Sequence, residues 1–238
     1  MSVQLAAPAP TICPSFVEFF FAPSAFFRAL NARPGWVKAF WVCAALTMLT
    51  TVISLPLVMA LARQRALQSN AANVDEIMNT LRASQYVSIV LSPAIVLLRM
   101  AVSAYILWVL AVLFGTDFTF RKVLSLVSYV SIAPALDRLL GYSMNYASGI
   151  SNIQSVEQVR SSFLSVSAFV YLGAHPVLKA IADNCDLFAV WYLALLVIGL
   201  ATIGRMNKIK ASVIVGGLFL IQLLFVVGLT ATFMRAAQ

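Results

Sequence analysis

Long stretches without a charged side chain constrain this chain more than any other feature. Residues 39–62 form the clearest example, with 24 consecutive uncharged and mostly apolar residues. A helix of about 20 such residues crosses the hydrocarbon core of a bilayer. We assign four further spans to residues 83–114, 123–142, 187–204 and 211–233. The sequence therefore predicts an all-α, polytopic membrane helical bundle with about five transmembrane helices.

The composition supports this class. Hydrophobic residues make up 62% of the chain, only 10% of residues are charged, and the mean hydropathy is +0.94. A soluble domain is roughly half apolar and carries more charge. The formal net charge is +8, but the cations lie in short segments between predicted spans. We attribute them to membrane topology and expect no nucleic-acid binding.

The first 38 residues differ from the rest, so we divide the chain into an N-terminal segment (1–38) and a transmembrane domain (39–238). Ser15 and Glu18 have the spacing of a helix-capping box. Phenylalanines and basic residues follow, in pieces broken at Pro23 and Pro34 that are too short to span. We expect a cytoplasmic, interfacial amphipathic segment; the alternative is that these pieces pack under the bundle.

Two charged residues lie where a bilayer disfavours them. Arg99 lies 15 residues before Phe114, and Asp137 lies 15 residues after Lys122, on either side of a short polar turn. In two antiparallel helices both would lie about 22 Å from the turn, at one depth. We predict an intramembrane ion pair between them, which is either a structural lock between two spans or a functional group.

Other polar residues also fall within predicted spans. Thr47, Thr50, Thr51 and Ser54 share one helix face, and we expect Thr50, Ser131 and Gln222 to meet near mid-depth. The shared hydroxyl face of the first span serves close helix packing or lines a polar cavity, and the mid-depth set forms interhelical hydrogen bonds or lines a polar pathway.

Several segments leave alternatives open. Ser92–Pro93 offers a kink or break in the second span, and residues 156–173 form an interfacial amphipathic helix or a sixth, short span. In the fifth span, Ser212 and Gly216 form a small-xxx-small pattern.

The sequence carries no sign of an enzyme. It lacks the common hydrolase, zinc-protease and phosphate-loop motifs, so we expect no catalytic residue. Three widely spaced cysteines indicate neither a disulfide framework nor a zinc site: Cys13, Cys43 and Cys185. His175 is the only histidine, and we expect neither a metal nor a cofactor. Asp183 and Asp186 are expected to cap the fourth span.

The residues of the polar turn and of the following spans resemble a known family. Its first pattern runs through Gly115, Phe118, Phe120, Arg121, Leu124, Tyr129 and Pro134. A second runs from residues 186–191 through Leu195, Gly199 and Leu200 to Lys210 and Ala211, and a third through Pro23, Phe27, Leu30, Pro34, Gly35 and Trp36. Together they resemble the YIP domain family of small five-span membrane proteins.

The resemblance implies a five-helix bundle. Eukaryotic members are Golgi and ER proteins linked to Rab GTPases, but this chain lacks their acidic-aromatic segment and has Ser128 where a Gly-Tyr pair is usual. It resembles the bacterial branch, so a Rab partner is not carried over. The implied location is the bacterial inner membrane.

Counting Lys and Arg gives eight in the segments on the N-terminal side of the membrane and seven on the other side. Two loops of the first group are short and densely basic, which favours a cytoplasmic N-terminus.

The sequence thus predicts a non-catalytic scaffold or accessory subunit of a membrane complex, serving transport or envelope maintenance. Its partners would be the lipid bilayer, membrane proteins and a second copy of the chain. The alternative is a small-solute or lipid transporter that uses a polar interior around Arg99 and Asp137. Transport predicts a cavity at those residues, whereas scaffolding predicts a dry bundle.

Overall fold

The computed structural model describes residues 16–68, 73–147, 181–182 and 186–236 of the chain. Several residues of the sequence predictions lie outside the described residues: the amphipathic stretch 156–173, His175, Asp183, Cys13, Cys185 and Ser15 of the predicted capping box.

The described residues fold into helices, which follow one another as α1 (Phe16–Phe21), α2 (Pro23–Ala32), α3 (Val37–Gln68), α4 (Val74–Leu113), α5 (Phe120–Val130), α6 (Ile132–Ala147), α7 (Leu187–Gly204) and α8 (Lys208–Ala236). Helices α3, α4, α7 and α8, and the consecutive pair α5–α6, are long and apolar enough to cross a membrane. The predicted all-α polytopic bundle with five spans is confirmed.

Helix α4 begins before the predicted second span and continues through its proline. Its 40 residues correspond to about 60 Å of helix, against a hydrocarbon core of about 30 Å. Pro93 has no N–H to donate to the carbonyl of Ile89, and the Ser92 hydroxyl donates to that oxygen instead, at 2.9 Å. The helix continues through this proline, so the second span has no break there, and the kink that was the other alternative stays a prediction.

The third span is interrupted where the sequence analysis expected one continuous helix. Helix α5 ends at Val130 and α6 begins at Ile132, with Ser131 between them. Pro134 lies in the first turn of α6 and cannot donate to the carbonyl of Val130, four residues earlier. The hydrogen bonds on either side persist, since Ser131 N–H donates to Val127 and Ala135 N–H donates to Ser131. One missing bond thus separates two helices.

Helix α5 forms the centre of the bundle. Residues 123–128 are all buried, and α5 packs against α2, α3, α4 and α7. Helix α6 packs mainly against α3 and α7. Around this central span, α8 packs against α4 and α7, so the five spans enclose a common interior.

The N-terminal helices pack against the bundle through their aromatic face. Phe19, Phe26 and Phe27 are fully or almost fully buried, and the ring of Phe26 lies 5.0 Å from that of Tyr129 on α5, edge to face. Phe21 is 87% exposed on the other side. Packing on the bundle therefore accounts for the three buried rings, and an interfacial position of the exposed face stays a prediction.

Two tight turns lie at one end of the bundle, which we call the short-loop end: residues 114–119 between α4 and α5, and 205–207 between α7 and α8. Gly115 has a φ of +74°, which glycine adopts without strain. The indole N–H of Trp108 donates to the carbonyl of Phe118 at 2.9 Å. The ring of Phe118 in turn lies against Gly204, where a Cβ would be only 2.3 Å from it. These contacts hold the two turns together.

Candidate ligand-binding cavity

A cavity of about 480 Å³ lies inside the bundle, beyond the end of the central helix α5. In the half nearer the short-loop end, the buried side chains of α5 fill the space between the surrounding spans. Beyond Ser131 the chain continues as α6, which packs mainly against α3 and α7. The cavity is lined by side chains from α3, α4, α6, α7 and α8. The break in the third span therefore opens the interior.

The structure brings most of the predicted polar residues to this cavity. Arg99, Asp137, Ser131 and Gln222 all line it, although they come from three different spans and from the α5–α6 break. The expectation that Arg99 and Asp137 lie at one depth agrees with their sharing this wall. The direct ion pair between them stays a prediction.

Thr50 does not line the cavity. It is buried at 6% exposure, and its hydroxyl donates to the Leu46 carbonyl at 2.7 Å. Its neighbours Thr47 and Thr51 line the cavity instead, donating to the carbonyls of Cys43 and Thr47 at 2.8 and 2.9 Å. The hydroxyl face of α3 thus serves both predicted purposes, close packing at Thr50 and Ser54 and cavity lining at Thr47 and Thr51.

Helix α4 contributes a polar face that the sequence analysis missed. Ser88, Ser92, Arg99 and Ser103 all line the cavity. Their spacing of four, seven and four residues places them on one side of a helix. The spacing is present in the sequence, but these four residues lie among many apolar residues, so the segment has the composition of an ordinary span.

Helices α7 and α8 complete the wall with two further polar groups. Tyr192 lines the cavity from α7 and Gln222 lines it from α8, while Cys43 lines it from α3. The Cys43 thiol donates to the Ser128 carbonyl, with a sulfur–oxygen distance of 3.7 Å. Neither Tyr192 nor Cys43 was predicted, because an isolated tyrosine or cysteine in an apolar helix is ordinarily packed core.

Asp186 lies at one edge of the cavity and confirms its predicted capping role. It is the N-cap of α7, where its Oδ1 accepts a hydrogen bond from the Ala189 N–H at 2.5 Å. Burial raises the pKa of Asp186, and the backbone N–H groups of Ala189 and Phe188 partly oppose the rise. The cavity edge thus holds a carboxyl group that binds protons more readily than in water.

The lining offers charged, hydroxyl, amide and aromatic groups together with apolar side chains such as Phe188, Leu193 and Phe219. Ligand pockets commonly have such mostly apolar walls with a few polar groups that fix orientation. Among the described residues, no group of three His, Cys, Asp or Glu side chains lies close enough to hold a metal ion.

These features define the class: a polytopic, five-span helical membrane protein with a polar cavity inside the bundle. The family model described as the Yip1 domain matches residues 17–230. The chain therefore belongs to the Yip1 domain family, and the resemblance drawn from its motifs is confirmed. No match was found among curated proteins or among solved structures.

The residues that carried the resemblance have structural roles. Gly115 forms the tight turn after α4, and Phe118 packs on Gly204 of the neighbouring turn. Pro134 separates α5 from α6 and also lines the cavity. Gly199 lies where α7 meets Leu126 and the buried α2. The family pattern thus includes residues that form a tight turn, residues at close approaches between helices, and one residue of the cavity wall.

Proposed function

We propose that this protein binds a small solute or a lipid in its central cavity and carries it between the two sides of a bacterial inner membrane. The observation that supports this proposal is the cavity of about 480 Å³ that contains Arg99 and Asp137. A bundle that served only to hold partners has no need of charged side chains in its interior, since ionisable residues within a membrane are costly.

The chemistry of the lining suggests the class of ligand. Arg99 and Arg138 offer two cations, Asp137 and Asp186 offer two carboxyl groups, and Gln222 and Tyr192 offer neutral hydrogen-bonding groups. Apolar side chains cover much of the remaining wall. We infer that the ligand carries a charged or zwitterionic group and an apolar part.

We further propose that the N-terminus faces the cytoplasm, which puts the basic short-loop end inside. We also infer that the protein acts without catalysis, because its sequence lacks the common hydrolase, zinc-protease and phosphate-loop motifs.

A scaffold role is the second candidate, and one observation favours it. Ser212 and Gly216 form an exposed small-residue face of α8, and a Cβ at Gly216 would meet nothing within 4 Å. Small-xxx-small faces let membrane helices approach closely. In this role the face would hold a membrane protein or a second copy of the chain.

Ligand-dependent thermal stabilisation tests the transport proposal. The purified protein in detergent is heated with individual zwitterionic and anionic phospholipids, amino acids and organic acids. We expect at least one compound to raise the melting temperature of the wild type but not that of Arg99→Gln or Asp137→Asn.

The matched control is Arg28→Gln, which removes one exposed positive charge from α2, a helix that contributes no side chain to the cavity. It should keep the wild-type response. If every compound that stabilises the wild type also stabilises the Arg99 and Asp137 variants equally, the cavity is not the binding site. Cross-linking between Ser212→Cys protomers would then support the scaffold role.

A further inference from the structure

A second cavity, of about 460 Å³, lies at the short-loop end. It is bounded by the two tight turns, and it also receives side chains from the first turns of α5 and α8. It is distinct from the central cavity, because the two share no lining residue.

The charge of this second cavity is strongly positive. Lys122, Arg205 and Lys210 line it, against the single carboxylate of Asp117 among its lining residues. Within the part of the chain that the structure describes, none of these four side chains forms an ion pair or a hydrogen bond. The three cations are therefore available to a ligand.

The backbone around the cavity is held in place before any ligand arrives. Phe118 is buried and packs on Gly204, while Trp108 holds the Phe118 carbonyl. Arg205 has a left-handed backbone, with φ of 50°, stabilised by the bond from its N–H to the Ala201 carbonyl. These contacts fix the backbone that carries the three cationic side chains, of which Arg205 and Lys210 are exposed.

Helix geometry adds to the positive potential. Helices α5 and α8 both begin at this end, and the N-terminus of a helix carries a partial positive charge. The N-cap of α5, Thr119, makes no side-chain capping bond.

From the cavity, its three unpaired cations and its rigid frame, we propose that the short-loop end binds a phosphate-bearing anion. Two sources share this chemistry, the headgroup of an anionic phospholipid and a soluble phosphate. Lysine and arginine are the usual phosphate ligands in proteins, and this site lies where a headgroup layer meets the bundle.

Native mass spectrometry of the full-length protein tests the proposal. The protein is delipidated, then titrated with phosphatidylglycerol or phosphatidylcholine in matched detergent. We expect tighter retention of phosphatidylglycerol, and a loss of about fivefold in affinity for each cation removed in Lys122→Gln, Arg205→Gln and Lys210→Gln.

Two further variants separate binding from general charge and from folding. The double variant Lys122→Arg, Lys210→Arg keeps the charges and should keep the affinity. The double variant Arg28→Gln, Arg33→Gln removes two cations elsewhere and should also bind as the wild type does. The proposal would be overturned if the control and the double variant Lys122→Gln, Lys210→Gln lost the same affinity for phosphatidylglycerol. It would also be overturned if neither double variant changed that affinity.

Inorganic phosphate distinguishes the two sources. If phosphate alone raises the melting temperature of the wild type but not of the triple Gln variant, and competes with phosphatidylglycerol, the site takes soluble phosphate. If only phosphatidylglycerol responds to the triple substitution, the ligand is a lipid headgroup. If neither probe distinguishes the wild type from the triple variant, no phosphate site exists here.

Discussion

The contact at Gly199 gives the sharpest prediction about packing. A Cβ at this position would lie 2.2 Å from Cδ1 of Leu126 and 3.3 Å from the ring of Phe27. Leu126 is 1% exposed and Phe27 is fully buried, so neither can move into open space. Gly199→Ala should therefore force a shift at the junction of α2, α5 and α7.

The magnitude follows from two opposing effects. Overpacking a filled core costs about 1–3 kcal/mol, while alanine gains about 1 kcal/mol over glycine in a helix. Gly216→Ala is the matched control, since a Cβ there meets nothing within 4 Å. Both variants gain helix propensity, but only Gly199→Ala carries the cost of overpacking. The free energies of unfolding of the two variants should therefore differ by about 2 kcal/mol.

Thermal unfolding in detergent measures this difference. For a chain of this size, about 2 kcal/mol corresponds to a shift of about 4–8 °C in melting temperature. Adding Leu126→Val to Gly199→Ala removes the clashing methyl and should recover part of the loss. Equal melting temperatures for Gly199→Ala and Gly216→Ala, or no recovery in the double variant, would refute the packing described here.

Three other perturbations follow from the same structure. Asp137→Ala should destabilise the fold, and the double variant with Arg99→Ala should lose less than the sum of the single losses; additive losses in thermal stability would rule out the ion pair. Asp186→Asn keeps the α7 cap, whereas Asp186→Ala loses it and should cost about 1 kcal/mol. Because the pKa of Asp186 is raised in the folded state, its protonation stabilises the fold below the unfolded-state pKa, and this stabilisation is lost as pH rises through the folded-state pKa. The stability advantage of Asp186→Asn over the wild type should therefore grow from pH 3 to pH 7. A constant difference in stability would contradict this sign. Trp108→Phe removes the donor to the Phe118 carbonyl and should lower stability by about 1 kcal/mol, whereas unchanged stability would show that this bond does not hold the turn.

The spans and the family were predictable because membrane solvation acts on each helix separately. The uncharged stretch 187–204 matches α7, Leu187–Gly204, at both ends, since Asp186 and Arg205 bound it with charges. Arg99 and Asp137 share a cavity because equal distances from a tight turn bring residues of antiparallel helices together.

Features set by packing between helices were harder to predict. Thr50 and Thr51 point in directions about 100° apart around the helix axis, so Thr50 is buried and Thr51 lines the cavity. Composition does not determine how the helix is rotated about its axis. The aromatic residues of α2 are compatible with a position at the membrane interface and with packing on the bundle. The absence of a side chain at Gly199 leaves room for the ring of Phe27 against α7, and sequence reasoning does not reveal this contact. The break at Ser131 had a signal in Pro134, but its effect depends on the neighbours that α5 and α6 contact.

The proposed transport function requires a water-accessible cavity, and cysteine labelling tests for that cavity directly. Single cysteines are introduced after Cys13, Cys43 and Cys185 have been replaced, at three cavity positions, at two core positions and at one exposed apolar position. These are Ser103, Ser131 and Gln222 for the cavity, Leu195 and Ile214 for the core, and Val213 for the exposed apolar surface.

In membranes, a water-soluble maleimide should label the three cavity positions and leave the other three unmodified. Labelling of the cavity set would establish an aqueous pathway at the level of Ser131 and make transport the working function. If the cavity cysteines stay as unreactive as Leu195→Cys and Ile214→Cys, the interior is dry. The proposed transport function would then be wrong, and the scaffold role would be the remaining candidate.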